Sequence, residues 1–230
     1  MQGSITELAM ATLFFCAGHF LISSTPLRGW LVGRLGEKIY LGLFSLYALA
    51  SFSWLLLTYG RAPYIHLWVT ADLVRSAVIL LMVPAVVLLF ASLRPDNPSF
   101  RLGSENAGEG MAQGIFTVTR HPMFWGTAIW AVCHMLANGD LASQIFFGGF
   151  LVLSLGGTVA LDAKFKNADP DGWLAMQKQS SNLPFAAILG GRVSFDWTSL
   201  RWSVFYGLAA YVAFLNLHQW MFGVSPFPIG

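Results

Sequence analysis

Two stretches of this chain place histidine, arginine and cysteine where their spacing could do chemistry. In one, Thr119-Arg120-His121-Pro122 opens an apolar run that carries His134 and stops at Asn138-Gly139-Asp140. A threonine hydroxyl can cap a helix, and proline is pre-set for a helix's first turn. Arg120 can lay its stem on apolar surface and send its charge to the lipid headgroups. His121 is not required by that structural reading. At the positive end of a helix, with Arg120 beside it, His121 is a candidate catalytic group that could hold an anion or act as an acid or base. The structural and catalytic readings both stay open.

His134 has a different setting, inside the apolar run. Gly126, Trp130, His134 and Asn138 recur every four residues and so form one stripe on a helix. Near the start of the chain, Thr12, Cys16, His19 and Ser23 form a comparable polar stripe. Ionisable groups within a bilayer are costly and face a bundle interior or a cavity. Two imidazoles from separate helices can bind the iron of haem b from both sides. On that reading His19 and His134 would be the metal ligands, with Trp130 and Cys16 as cofactor contacts, and spacing alone does not choose it. The alternative is that each histidine hydrogen-bonds a neighbouring helix and holds the bundle together. At 1.5 Å rise per residue, His19 and His134 differ in depth by roughly 10 Å. His19 with His121, and His134 with His218, are better matched in depth. His66 and His218 read as solvated interfacial histidines, and Asp140 and Asp162 as interfacial carboxylates. The two cysteines, Cys16 and Cys133, have neither zinc nor disulfide spacing and pack as small hydrophobes.

The elements that must position these groups are membrane helices. The chain of 230 residues is 56% hydrophobic and 10% charged, with a mean hydropathy of +0.61, whereas soluble domains average about 25% charged residues. It reads as one all-α integral membrane domain covering residues 1–230. A net charge of +2 gives no reason to expect nucleic acid. Apolar runs of about 20 residues suit bilayer crossing, and six segments read that way: 5–23, 39–59, 73–93, 122–138, 141–161 and 200–220. The first lacks a basic lead-in and a cleavage site and reads as a retained helix. Pro84 is expected to kink the third. The fourth and fifth form a hairpin across Asn138-Gly139-Asp140. Of the 13 lysines and arginines, all but Arg61 and Arg75 fall on one face, which puts that face in the cytoplasm and both termini outside. Arg75 can pair with Asp72 at i, i+3 spacing. The outer connections are short apart from the one between residues 60 and 72. The cytoplasmic ones include Gly103-Ser-Glu105-Asn-Ala-Gly-Glu109-Gly110 and an amphipathic piece at Trp173-Leu-Ala-Met176. Trp173, Phe185, Trp197, Trp202 and Trp220 are expected at the membrane interface.

The stretch from Thr119 to Asp140, with Gly18-His19, Arg28 and Asn182-Leu-Pro-Phe-Ala-Ala-Ile-Leu-Gly-Gly-Arg192, resembles the NnrU family of bacterial membrane proteins over nearly the whole chain. That resemblance implies a link to denitrification and nitric oxide metabolism. The family is similar to the plastid zeta-carotene isomerases, in which haem b assists cis-to-trans isomerisation of a polyene. By that similarity the two haem ligands fall on His19 and His134. The isomerases carry a cysteine one turn before the second ligand, where this chain has Ala131; Cys16 lies one turn before His19 instead, so a redox switch does not carry over. A more distant similarity runs to the isoprenylcysteine carboxyl methyltransferases, through Arg120-His121-Pro122 and the segment from Trp173 to Pro184. Their acidic pair is absent here, since Ala163 follows Asp162.

Three functions follow as expectations. The first is a haem b protein of the bacterial inner membrane, isomerase-like, acting on a small apolar isoprenoid-type molecule or in nitrogen-oxide chemistry. The second is an S-adenosylmethionine-dependent methyltransferase working around His121. The third is a non-catalytic assembly or maturation factor partnered with a respiratory complex.

Overall fold

A computed structural model describes residues 3–93, 113–195 and 197–227. Arg94, Arg101 and the glycine-rich stretch from Gly103 to Gly110 lie outside the described residues. Within the described residues the fold is all-helical: α1 (Ile5–Ser24), α2 (Pro26–Leu35), α3 (Glu37–Arg61), α4 (Asp72–Ser92), α5 (Ile115–Val118), α6 (Pro122–Ala137), α7 (Leu141–Ala168), α8 (Pro170–Gln179), α9 (Ala186–Leu189) and α10 (Trp197–Phe222). Five of these, α1, α3, α4, α7 and α10, are long and apolar enough to cross a membrane. α6 is apolar but has 16 residues, about 24 Å of helix against a hydrocarbon core of about 30 Å. The chain is a multi-pass membrane protein by these helices.

The helix ends are written in the sequence. Ser4 Oγ accepts from Glu7 N at 3.0 Å to start α1, a serine with glutamate three residues on. Thr25 caps α2, with Pro26 in its first turn. α2 closes on Gly36, whose φ of 80° suits glycine. Asp140 caps α7 by accepting from Ser143 N at 2.9 Å and Ser143 Oγ at 2.6 Å. α2 stands where a loop was expected, between the first two spans, and buries none of its side chains.

The long helices pack in the order α3, α1, α7, α6, α4, α10. Close approach is built on glycine. A Cβ at Gly126 of α6 would lie 2.8 Å from the Ala85 carbonyl oxygen of α4, and one at Gly207 of α10 would lie 2.7 Å from the Val87 Cα. α4 is continuous through Pro84. One buried cluster joins Leu8, Ala11, Phe15 and Cys16 of α1 to Leu55, Ala131, Phe146 and Phe147. A second gathers Leu88, Ala91, Phe116, Phe165, Trp173, Met176 and Leu200. The second cluster lies at the end of the bundle that carries α2, α5, α8 and α9. The opposite end carries the 62–71 loop, the 138–140 turn and residues 223–227. That end is tied by Leu67 N to Gly139 O at 2.8 Å and Leu141 N to Ile65 O at 2.9 Å.

Candidate functional site

At the end carrying α8 and α9, Arg120 and His121 turn inward. Arg120 donates from Nε to Asp162 Oδ1 at 2.7 Å and from a terminal nitrogen to Oδ2 at 2.6 Å, the two-bond fork that matches guanidinium to carboxylate. His121 Nε2 donates to Asp162 Oδ1 at 2.7 Å, and Asn182 Nδ2 donates to Oδ2 at 3.1 Å. The Arg120 guanidinium also lies 4.9 Å from the centre of the Trp173 ring. Arg120 is 6% exposed and His121 2%. Arg120 therefore does not reach out to headgroups as expected, because its charge is met by Asp162. Trp173 is likewise buried rather than interfacial, since it covers that guanidinium. Phe185, Trp197, Trp202 and Trp220 remain exposed.

A strap formed by residues 180–192 closes over this cluster. Arg120 N donates to Ser181 O at 2.9 Å and Phe185 N to Val118 O at 2.7 Å. Thr119 Oγ1 and Trp125 Nε1 both donate to Asn182 O, at 2.6 and 2.8 Å. Phe185 takes a left-handed φ of 64° at the start of α9, a costly conformation for a bulky residue that the surrounding bonds hold in place. Thr119 does not cap α6 in the expected way; His121 is the cap residue, and Thr119 Oγ1 accepts from His121 N at 3.2 Å. Burial lowers the proton affinity of His121, which Asp162 partly offsets and the Arg120 charge reinforces. Its Nδ1 is buried without a partner.

Asp162 and Asn182 are the residues that sequence reading missed. Asp162 read as interfacial because it ends an apolar run. The available signal was charge balance: an aspartate on an apolar helix requires a partner, and Arg120 and His121 start the helix paired with it.

His19 and His134 lie elsewhere. His19 Nδ1 donates to Phe15 O at 2.7 Å, and His134 Nδ1 donates to Trp130 O at 2.9 Å. Each bond fixes the proton on Nδ1 and leaves Nε2 with its lone pair, the form in which imidazole binds a metal. Both histidines are half-buried. The His19 ring lies 4.4 Å from Phe15, Phe15 lies 5.6 Å from Phe150, Phe150 lies 5.5 Å from Trp130, and Trp130 lies 4.9 Å from His134. A continuous series of aromatic contacts thus joins the two histidines across α7. Phe147 stacks on His134 at 4.7 Å. Cys16 donates to Gly149 O at 3.3 Å and packs between α1 and α7. Among the described residues, no three of His, Cys, Asp and Glu cluster as a metal site.

At the opposite end, Arg75 does not pair with Asp72. Its side chain lines a cleft with Tyr64, His66, Trp68 and Asn138, and its Nε is buried without a partner.

Comparison with known proteins places these residues in context. Residues 7–226 match the family described as NnrU protein. A chloroplastic 15-cis-zeta-carotene isomerase of Zea mays is 32% identical over 79 residues, which cover 34% of this chain and 22% of the relative. The corresponding isomerase of Arabidopsis thaliana is 30% identical over 79 residues, with the same coverage of 34% and 22%. The match thus spans about a fifth of either relative's length. No solved structure matches.

Proposed function

The chain belongs to the NnrU family, and from that premise we propose an isomerase-like, haem b-binding membrane protein in which His19 and His134 would hold the iron. The observation that carries this reading is the pair of pinned imidazoles. Each gives its Nδ1 proton to the carbonyl four residues back and keeps Nε2 free. The donor chemistry fits haem iron, and the rings of Phe15, Trp130, Phe147 and Phe150 supply apolar walls. Cys16 has its thiol on Gly149 O and serves as packing beside His19. Bound haem would supply a Lewis-acid or one-electron centre. This chain's own part is to fix both tautomers, exclude water with aromatic rings and admit an apolar substrate.

The proposed substrate is a small isoprenoid-type molecule taken from the bilayer, by analogy with the double-bond chemistry named for the plastid relatives. The tie to denitrification rests on family resemblance alone. We further propose six crossings in a bacterial inner membrane, both termini outside, with the segment 122–138, which carries α6, as the sixth. The methyltransferase reading draws no support from the geometry, because Arg120 and His121 are buried and committed to Asp162.

The test is an absorption spectrum of the detergent-purified protein, oxidised and reduced. A b-type spectrum is expected, with haem lost in His19→Ala and His134→Ala. A haem-free protein, or retention of haem in both variants, overturns the assignment.

A further inference from the structure

We propose that the cleft between the 62–71 loop and the 138–140 turn binds a small oxyanion, a carboxylate or phosphate group, with the Arg75 guanidinium as its main holder. The cleft has a volume of about 210 Å³. Arg75 enters it from the first turn of α4, and the buried Nε of this side chain has no hydrogen-bond partner. A buried N–H of a cation left without an acceptor is costly. A carboxylate or phosphate is the group whose shape matches the edge of the guanidinium that the cleft reaches.

Among the described residues, no carboxylate supplies that group. Arg75 has no ion pair with Asp72. Asp140, the carboxylate that also lines the cleft, spends Oδ1 on Ser143 N and Oδ2 on Ser143 Oγ in capping α7. The rest of the lining suits an anion. His66 and Asn138 face the cleft, Asn138 with one of its amide N–H groups given to His134 O at 2.8 Å. Thr70 lies just before α4, whose N-cap residue, Ala71, makes no side-chain bond to the first turn, so that helix end presents partial positive charge, which Asp72 in the same turn partly offsets.

The walls are set without a ligand. Trp68 N donates to Gly139 O at 3.2 Å and Thr70 Oγ1 donates to Leu136 O at 3.1 Å. A side chain at Gly139 would collide with the Trp68 carbonyl. Because the cleft lies at an end of the helix bundle, the oxyanion can come from solution or from a lipid headgroup. Both present the same chemistry to Arg75.

The experiment uses the full chain purified in neutral detergent. Calorimetry with inorganic phosphate and with acetate tests the free anion, and mass spectrometry of co-purified lipid tests the headgroup. Saturable binding of either free anion, weakened at least tenfold in Arg75→Gln, supports a solution ligand. Anionic phospholipid retained by the unmodified protein and lost in Arg75→Gln supports a headgroup. Arg75→Lys keeps the charge without the fork and should weaken binding several-fold, which covers the case in which Arg75→Gln does not fold. Absence of both ligands from the unmodified protein, or equal binding in the variants, overturns the site.

Discussion

His121 is a buried imidazole with one nitrogen committed and one idle. Nε2–H is held by Asp162, so a second proton would go to Nδ1, which has no acceptor. Burial lowers its proton affinity below the ordinary histidine value, which is about 6.5 in an unfolded chain. As pH falls, the unfolded chain takes the proton first. The stability contributed by neutral His121 is therefore complete above about pH 6.5 and is lost as pH drops through that range. The thermal midpoint of the purified protein should fall between pH 7 and pH 5. His121→Gln, which can still donate to Asp162, should flatten that fall; an unchanged slope would contradict this account. At this scale the sequence was half legible. Arg120 and His121 stand out as polar residues at a helix start, but Asp162 lies 42 positions away from Arg120. Its pairing depends on how α6 and α7 are rotated against each other, which spacing within one helix does not encode. Arg75 illustrates the same limit. Its i, i+3 relation to Asp72 is correct in register, yet the side chain goes to the cleft.

Elements were more readable than contacts. A run of apolar residues long enough for the bilayer is a property of one segment, so α1, α3, α4, α7 and α10 follow closely from it. The hairpin across 138–140 follows from Asn-Gly-Asp between two apolar runs, the first of them short. α2 did not follow, because Pro26–Leu35 mixes charge with exposed apolar residues, among them Trp30, and is too short for a span. Between helices, glycine sets the spacing. Gly126→Val should destabilise the protein by about 1–3 kcal/mol, since the added carbons meet the α4 backbone and overpacked sites relax only in part. Gly33→Ala on α2 is the matched control: nothing lies within 4 Å of the added carbon, and helix propensity favours alanine. Thermal unfolding in detergent compares the two, and equal midpoints would show that the α4–α6 approach is not tight.

For the whole molecule, the helices place the 62–71 loop and the strap at opposite ends. Cysteines introduced at Val69 and Leu189, which are 83% and 84% exposed, should therefore react with a membrane-impermeant thiol reagent from opposite sides. Cys16 and Cys133 are both buried and can be replaced by alanine for the experiment. Labelling from one side only would rule out six crossings. The division into two ends was legible in the charge distribution, because Lys and Arg gather at one of them without reference to tertiary structure. The paired charges have a consequence for the hairpin of α6 and α7. Arg120 precedes α6 and Asp162 sits on α7, so both partners belong to one hairpin. Once those two helices lie side by side the charges meet, and the pairing needs neither α8 nor the strap. The hairpin thus holds both members of its own ion pair, and α8 and the strap cover a charge balance that does not depend on them.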